Sequence, residues 1–232
     1  MQIKKHIPNT LTLLNLLSGC LAVVAVAEQN FQMAFFWVCL GIFFDFFDGF
    51  FARLFQVSGP LGLQLDSLAD MVTSGVAPGY VMYAMFEKTQ GCDYMSYAGF
   101  IITLGACFRL ANFNIDTRQT DSFIGLPTPA NALFFMSLPL IPQSLLVIEL
   151  FSNPWFLLVL SLLSAYVMNA ELPLFSLKVK NFSFSKYKLQ IFFLVVSVLL
   201  LIGLQVSALP IIIVTYVLLS VVDNKFKITR KD

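Results

Sequence analysis

Apolar runs of about twenty residues follow one another along almost the whole chain, with only short polar breaks between them. A run of that length can cross a bilayer as a helix. In hydrocarbon, only a helix or a closed barrel pairs every backbone N–H and C=O. The runs fall at roughly 8–27, 31–54, 64–86, 94–113, 128–149, 154–170, 189–207 and 209–224 of the 232 residues. The last two are divided only by a bend at Ala208-Leu209-Pro210. The expected fold is therefore all-α, a polytopic membrane helical bundle of about eight transmembrane helices, in one membrane domain over 1–232. Composition agrees: 58% of residues are apolar and 12% charged, where a soluble domain carries about 25% charged residues.

The placement of the basic residues orients this bundle. With eight spans both termini share a side, and on that side lie Lys4, Lys5, Arg53, Arg109, Arg118, Lys178, Lys180, Lys186, Lys188, Lys225, Lys227, Arg230 and Lys231. Of the fourteen Lys and Arg residues, only Lys88 falls opposite. Basic loops stay in the cytoplasm, so both termini are expected there, in a multi-pass protein of the cell membrane. The net charge of +1 says nothing about partners, and no nucleic-acid partner is expected. Leu17-Ser18-Gly19-Cys20 and Ala25-Val26-Ala27 imitate cleavage boxes, but small residues also suit close helix packing, and the first helix is expected to stay. The cysteines Cys20, Cys39, Cys92 and Cys107 have no metal-binding spacing and are read as free, packing thiols. His6 is the only histidine, which sets aside a histidine-ligated zinc or a serine–histidine triad.

Between Glu28 and Glu87 the only charged residues are Asp45, Asp48, Arg53, Asp66 and Asp70, a local charge of −3. An aspartate at the centre of a spanning helix costs about 2.5 to 3.5 kcal/mol on insertion scales and is by default functional. Asp45 and Asp48 are spaced i, i+3, and Asp66 and Asp70 i, i+4, so each pair shares a helix face. A turn through Ser58-Gly59-Pro60 folds the two helices antiparallel and brings the pairs face to face, each about 12 to 15 Å from the turn. Four carboxylates without histidine or thiolate select hard cations, Mg²⁺, Mn²⁺ or Ca²⁺, and can hold two of them. Gly49, Ala52 and Gly62 flank the carboxylates with little or no side chain, which either admits a bulky substrate or simply lets helices pack. A cation transporter would also use intramembrane aspartates, yet it would repeat the acidic hairpin in a second half, and the sequence has one.

Written in full, Asp45-x-x-Asp48-Gly49-x-x-Ala52-Arg53, eight residues, then Gly62-x-x-x-Asp66-x-x-x-Asp70 resembles the signature of the CDP-alcohol phosphotransferase family at every fixed position. The resemblance implies a metal-dependent membrane transferase whose domain spans 1–232 with its signature at 45–70. It implies that Asp45, Asp48 and Asp66 bind two divalent ions, Mg²⁺ or Mn²⁺ with Ca²⁺ as another ion the site could bind, at the diphosphate of CDP-diacylglycerol. Asp70 is then the general base and touches a metal as well. By the same resemblance Gly49, Ala52, Gly62, Arg53 and Ser67 border the nucleotide or its diphosphate. So does the polar stripe Asn9, Thr12 and Asn15 of the first helix, whose alternative role is bonding between helices. A homodimer is expected on this resemblance alone.

Three segments resemble the serine-using members of that family: Asp66 to Pro78, Phe108 to Asn114, and Gly125-Leu126-Pro127-Thr128-Pro129-Ala130-Asn131. They make L-serine the expected acceptor, with Arg109, Asn112, Arg118 and Thr128 as its candidate contacts. Arg109 would pair with the serine carboxylate, with a lipid phosphate, or with a neighbouring helix. Asn112 departs from the pattern, since many relatives carry a basic residue there. Thr128 before Pro129 reads as an N-cap followed by proline at N1, a helix end that presents amides to an anion. Glycerol 3-phosphate or inositol phosphate are the alternative acceptors within the family.

Overall fold

The computed structural model describes residues 3–57, 59–89, 93–116, 125–142, 148–174 and 188–226. Among them every principal element is helical. Helix α1 covers Ile3–Ala27 and α2 covers Phe31–Leu54, where Asn30 caps α2 by accepting from the Met33 amide at 3.1 Å. Helix α3 starts with Pro60 in its first turn and runs without a break through Pro60–Asp70, a π-helical stretch Met71–Val76, and Ala77–Glu87. Helix α4 is a 3₁₀ segment Asp93–Phe100 that continues into Ile101–Ile115. Then come α5 (Thr128–Ser137), a single turn at Ile148–Phe151, α6 (Pro154–Asn169), α7 (Lys188–Leu204) and α8 (Ala208–Phe226).

Four stretches are long and apolar enough to cross a membrane: His6–Ala27, Phe31–Leu54, Tyr94–Ile115 and Leu189–Lys225. The protein is a polytopic membrane helical bundle. Large apolar side chains point outwards all round it, among them Phe46 at 63% exposure, Leu104 at 70% and Ile202 at 75%. In water such a surface would aggregate; against lipid tails it is the solvated face. Cys20 and Cys107 share that outer surface rather than packing inside, and Cys39 is half-buried; all three are free thiols. Cys92 lies outside the described residues.

Helices in lipid gain little by hiding apolar area from one another, so small residues and polar cross-links hold the bundle together. Thr103 donates to the Gly75 carbonyl at 2.9 Å, Asn169 Nδ2 to the Gly105 carbonyl at 2.9 Å, and Ser164 to Asn131 Oδ1 at 2.7 Å. Gly75 and Gly79 of α3 face Ala106 and Thr103 of α4, as the Gly-x-x-x-Gly spacing leads one to expect. Gly105 lies so close to α6 that a Cβ there would stand 2.9 Å from the Ala165 Cβ.

Helices α1 and α3 begin earlier than the sequence reading has them, at Ile3 and Pro60 rather than 8 and 64, and two breaks in the helices also fall elsewhere. The fifth span, expected over 128–149, ends as an α-helix at Ser137 and tightens into a 3₁₀ turn at Leu138–Leu140. Pro139 and Pro142 remove the amides that would continue it. The bend between α7 and α8 lies at Gln205–Ser207, where Gln205 has φ +50°, while Leu209 and Pro210 fall inside the first turn of α8, where proline is tolerated. The two helices fold back on each other, since the Phe193 and Tyr216 rings meet at 5.5 Å.

Gly105→Val is expected to destabilise the detergent-solubilised protein by about 1 to 3 kcal/mol, because the α4–α6 contact has no space for it. Gly203→Ala is expected to leave stability unchanged or raise it by about 0.4 to 1 kcal/mol, since a Cβ there meets nothing within 4 Å. Thermal unfolding of the two variants side by side checks the pair.

Candidate active site

Helices α2 and α3 form the acidic hairpin. Asp45 and Asp48 project from α2 and Asp66 and Asp70 from α3 into a cavity of about 420 Å³. One carboxylate oxygen from each of Asp45, Asp48 and Asp66 lies within 4.8 Å of the other two. Like charges at that range are held together only by a proton or a cation between them. Asp70 lines the same cavity outside this group of three.

Helix α1 stands behind the carboxylates. The Thr12 hydroxyl lies 2.6 Å from Asp48 Oδ2 and 3.1 Å from the Pro8 carbonyl, and Asn15 Nδ2 donates to Asp70 Oδ1 at 3.1 Å. Both residues are almost fully buried and neither lines the cavity. The stripe at i, i+3 spacing therefore supplies hydrogen-bond donors to the carboxylates from the rear, a second layer that fixes their orientation.

The remaining expected site residues divide in two. Gly49, Arg53, Ser67, Arg109 and Thr128 line the cavity with the aspartates. Asn9, Ala52, Gly62 and Asn112 do not, and Arg118 lies outside the described residues. Helix packing does not explain Gly49 or Gly62: a Cβ at Gly49 meets only the Arg53 guanidinium, from 3.5 Å, and one at Gly62 only Asn9 Oδ1 at 3.7 Å. The first leaves the backbone of α2 open at the cavity wall.

The wall opposite the hairpin is the start of α5. Arg109, 8% exposed, donates to the Gly125 carbonyl at 3.2 Å. The Gly125 and Leu126 amides bond to the Leu172 and Val167 carbonyls at 2.8 and 3.1 Å. Gly125 has φ +74°, and a Cβ there would run into the Met168 and Ala170 carbonyls, so only glycine makes this turn without strain. Thr128 is itself the first residue of α5 and Pro127 takes the cap position, so the expected Thr128 N-cap is shifted by one and no side chain caps the helix. Pro127 carries no hydroxyl, and the helix end is set instead by the backbone bonds at Gly125 and Leu126. Asn114, which sequence reasoning did not single out, exchanges hydrogen bonds with Ser67 at 2.9 and 3.2 Å. Its position in the segment shared with serine-using relatives was the available signal.

The sequence matches the CDP-alcohol phosphatidyltransferase family over residues 5–165. The chain belongs to that family. Every residue lining the acidic cavity lies inside the match, and membership sets aside the transporter reading. Among curated relatives, the CDP-diacylglycerol--serine O-phosphatidyltransferase of Bacillus subtilis (strain 168) is 35% identical over 128 residues, 53% of this chain and 70% of that protein. The protein of the same name from Helicobacter pylori (strain J99 / ATCC 700824) is 36% identical over 128 residues, 54% of either chain. That from Methanocaldococcus jannaschii is 35% identical over 130 residues, 56% of this chain and 58% of its own length. The match thus spans only about half the length of the last two.

The donor set of this family member fits a divalent ion. Two oxygens on one ion are separated by at most twice the metal–oxygen distance, about 4.2 Å for Mg²⁺ and about 5 Å for Ca²⁺; the three aspartate oxygens, all within 4.8 Å of one another, meet the Ca²⁺ limit as they stand and come within about 0.6 Å of the Mg²⁺ limit. Asp45, Asp48 and Asp66 would hold the ion, with Asp70 on the same cavity wall. Asp48→Asn is expected to weaken Mn²⁺ binding about ten-fold or more, and Gly49→Ala to leave it unchanged; titration of the solubilised protein followed by Mn²⁺ electron paramagnetic resonance checks both.

Proposed function

We propose that this chain transfers the phosphatidyl group of CDP-diacylglycerol to the hydroxyl of L-serine, releasing CMP and phosphatidylserine. The observation that carries the reading is a cavity with four carboxylates on one wall and Arg109 with the N-terminal end of α5 on the other. A metal-binding wall suits the diphosphate, and a cationic wall suits an acceptor that carries a carboxylate. The names of the relatives support serine, and a phosphorylated acceptor would call for a denser basic cluster than Arg109 and Arg118 offer; among the described residues Arg109 is the one charged lining residue on the α4–α5 side, Arg53 lying on the hairpin.

The residues divide the work as follows. Divalent ions, when bound, neutralise the diphosphate and make CMP a better leaving group. Asp70, held at one oxygen by Asn15, has its other oxygen for the proton of the serine hydroxyl. The deprotonated oxygen attacks the phosphatidyl phosphorus, the bond from phosphorus to the CMP oxygen breaks, and CMP leaves with that electron pair. Arg109 receives the serine carboxylate, with Thr128 beside it at the helix end. Gly49 lets the nucleotide approach α2, and Arg53 and Ser67 border the diphosphate. Asn9, Ala52 and Gly62, expected at the nucleotide, and Asn112, expected at the acceptor, do not line the cavity and take no step in this reading; Arg118, also expected at the acceptor, lies outside the described residues. The active site and both termini face the cytoplasm of an eight-span domain covering 1–232, and the protein works as a homodimer.

The solubilised protein given CDP-diacylglycerol and Mn²⁺ is expected to release CMP with L-serine and not with glycerol 3-phosphate or inositol phosphate. Release with a phosphorylated acceptor alone would replace the serine reading. Arg109→Lys is expected to raise the KM for serine about ten-fold or more and leave that for CDP-diacylglycerol within two-fold, because a lysine cannot offer the bidentate fork. Asp70→Asn is expected to abolish turnover while Mn²⁺ still binds.

A further inference from the structure

Two buried polar residues of the hairpin, Thr73 and Ser74, are used by neither wall of the cavity, and the first of them is tied to a carboxylate. Thr73 is fully buried in the π-helical stretch that begins directly after Asp70, and it does not line the cavity. Its hydroxyl lies 2.8 Å from Asn15 Oδ1 and 3.1 Å from the Asn15 backbone carbonyl. Asn15 is equally buried, and its Nδ2 donates to Asp70 Oδ1. A chain of two hydrogen bonds therefore runs from Thr73 through the Asn15 amide to Asp70.

The direction of that chain is fixed by chemistry. An ionised carboxylate only accepts hydrogen bonds, so the amide must turn its NH₂ towards Asp70. Its oxygen then faces away, into a site closed to water, and needs a donor there. The Thr73 hydroxyl is that donor. The surrounding backbone is shaped to bring it close: a Cβ on Gly19 of α1 would stand 2.5 Å from Thr73 Oγ1, and one on Gly41 of α2 would stand 2.7 Å from Thr73 Cγ2 and 2.8 Å from Asn15 Oδ1. Three helices converge on one hydroxyl, and π-helical turns of this kind often mark functional positions.

We propose that Thr73 is a positioning residue, whose hydroxyl locks the Asn15 amide so that Asp70 is held in the orientation the transfer uses. It touches no substrate and no ion. The inference rests on the reading of Asp70 as the base.

The test is a substitution series at Thr73, assayed by CMP release with whichever acceptor the wild type uses. Thr73→Val keeps the shape and loses the donor; Thr73→Ala cannot crowd Gly19 or Gly41, so it serves if the valine variant fails to fold; Thr73→Ser is smaller but keeps the hydroxyl. The valine and alanine variants are expected to lose about 10- to 100-fold in kcat, with KM for both substrates and Mn²⁺ affinity within two-fold of wild type. Thr73→Ser is expected to stay within three-fold of wild-type kcat, and Thr73→Val added to Asn15→Ala to cost nothing beyond Asn15→Ala alone. Wild-type kcat in Thr73→Val or Thr73→Ala, a serine variant as impaired as the alanine one, or independent losses in the double variant would each overturn the proposal. Asp70→Asn, run alongside, separates the two ideas: if it is inactive while Thr73→Val is not, only the Thr73 inference fails. If it retains full turnover, the base assignment fails and the Thr73 inference with it.

Discussion

Four aspartates are held together inside a membrane bundle, and much of the α1–α3 architecture answers that constraint. Each carboxylate is costly in hydrocarbon, and three of them come close enough to share a cation. Helix α1 crosses behind them and supplies Thr12 and Asn15 as donors. The glycines at 19 and 41 let α1 and α2 close on the π-helical part of α3. The cluster is thus oriented from the rear by neutral hydrogen bonds and left open at the front to cations and substrate. An array of this kind is preorganised: its donors and acceptors are in place before a ligand arrives.

The front of the cavity is built by a different rule. Arg109, the Gly125 turn and the N-terminal end of α5 face the hairpin, and their positions follow from backbone bonds of Gly125 and Leu126 to the segment at the end of α6. One wall attracts cations and the other attracts anions. That asymmetry is what the proposed transfer to a carboxylate-bearing acceptor would use.

Much of this was legible in the chain. The helices α1, α2, α3, α4 and α6 follow from runs of apolar residues, because a bilayer forces the backbone into helices; of these five, α1, α2 and α4 are long and apolar enough to cross a membrane. The acidic hairpin followed from i, i+3 and i, i+4 spacing across a turn. The end of α5 did not follow, since Leu138-Pro139-Leu140 remains apolar after the helix has stopped being regular. Nor did the bend before α8, which comes from a left-handed Gln205 rather than from the proline after it. Hydropathy reports the solvent around a segment and is blind to such local breaks.

The sequence alone determined that this is a membrane helical protein carrying the CDP-alcohol phosphatidyltransferase signature, because apolar run length and carboxylate spacing are local properties of the chain. Tertiary structure decided which polar residues share a cavity and which stand behind it. Asn9, Thr12 and Asn15 read as one stripe, yet Thr12 and Asn15 hold Asp48 and Asp70 from the rear, and Asn9 lies beside Gly62. Asn114 joins Ser67, and Thr73 reaches Asn15 across 58 positions of chain. Those partnerships depend on how α1, α3 and α4 cross in space, and periodicity within one helix gives its face but not the neighbour that the face will meet.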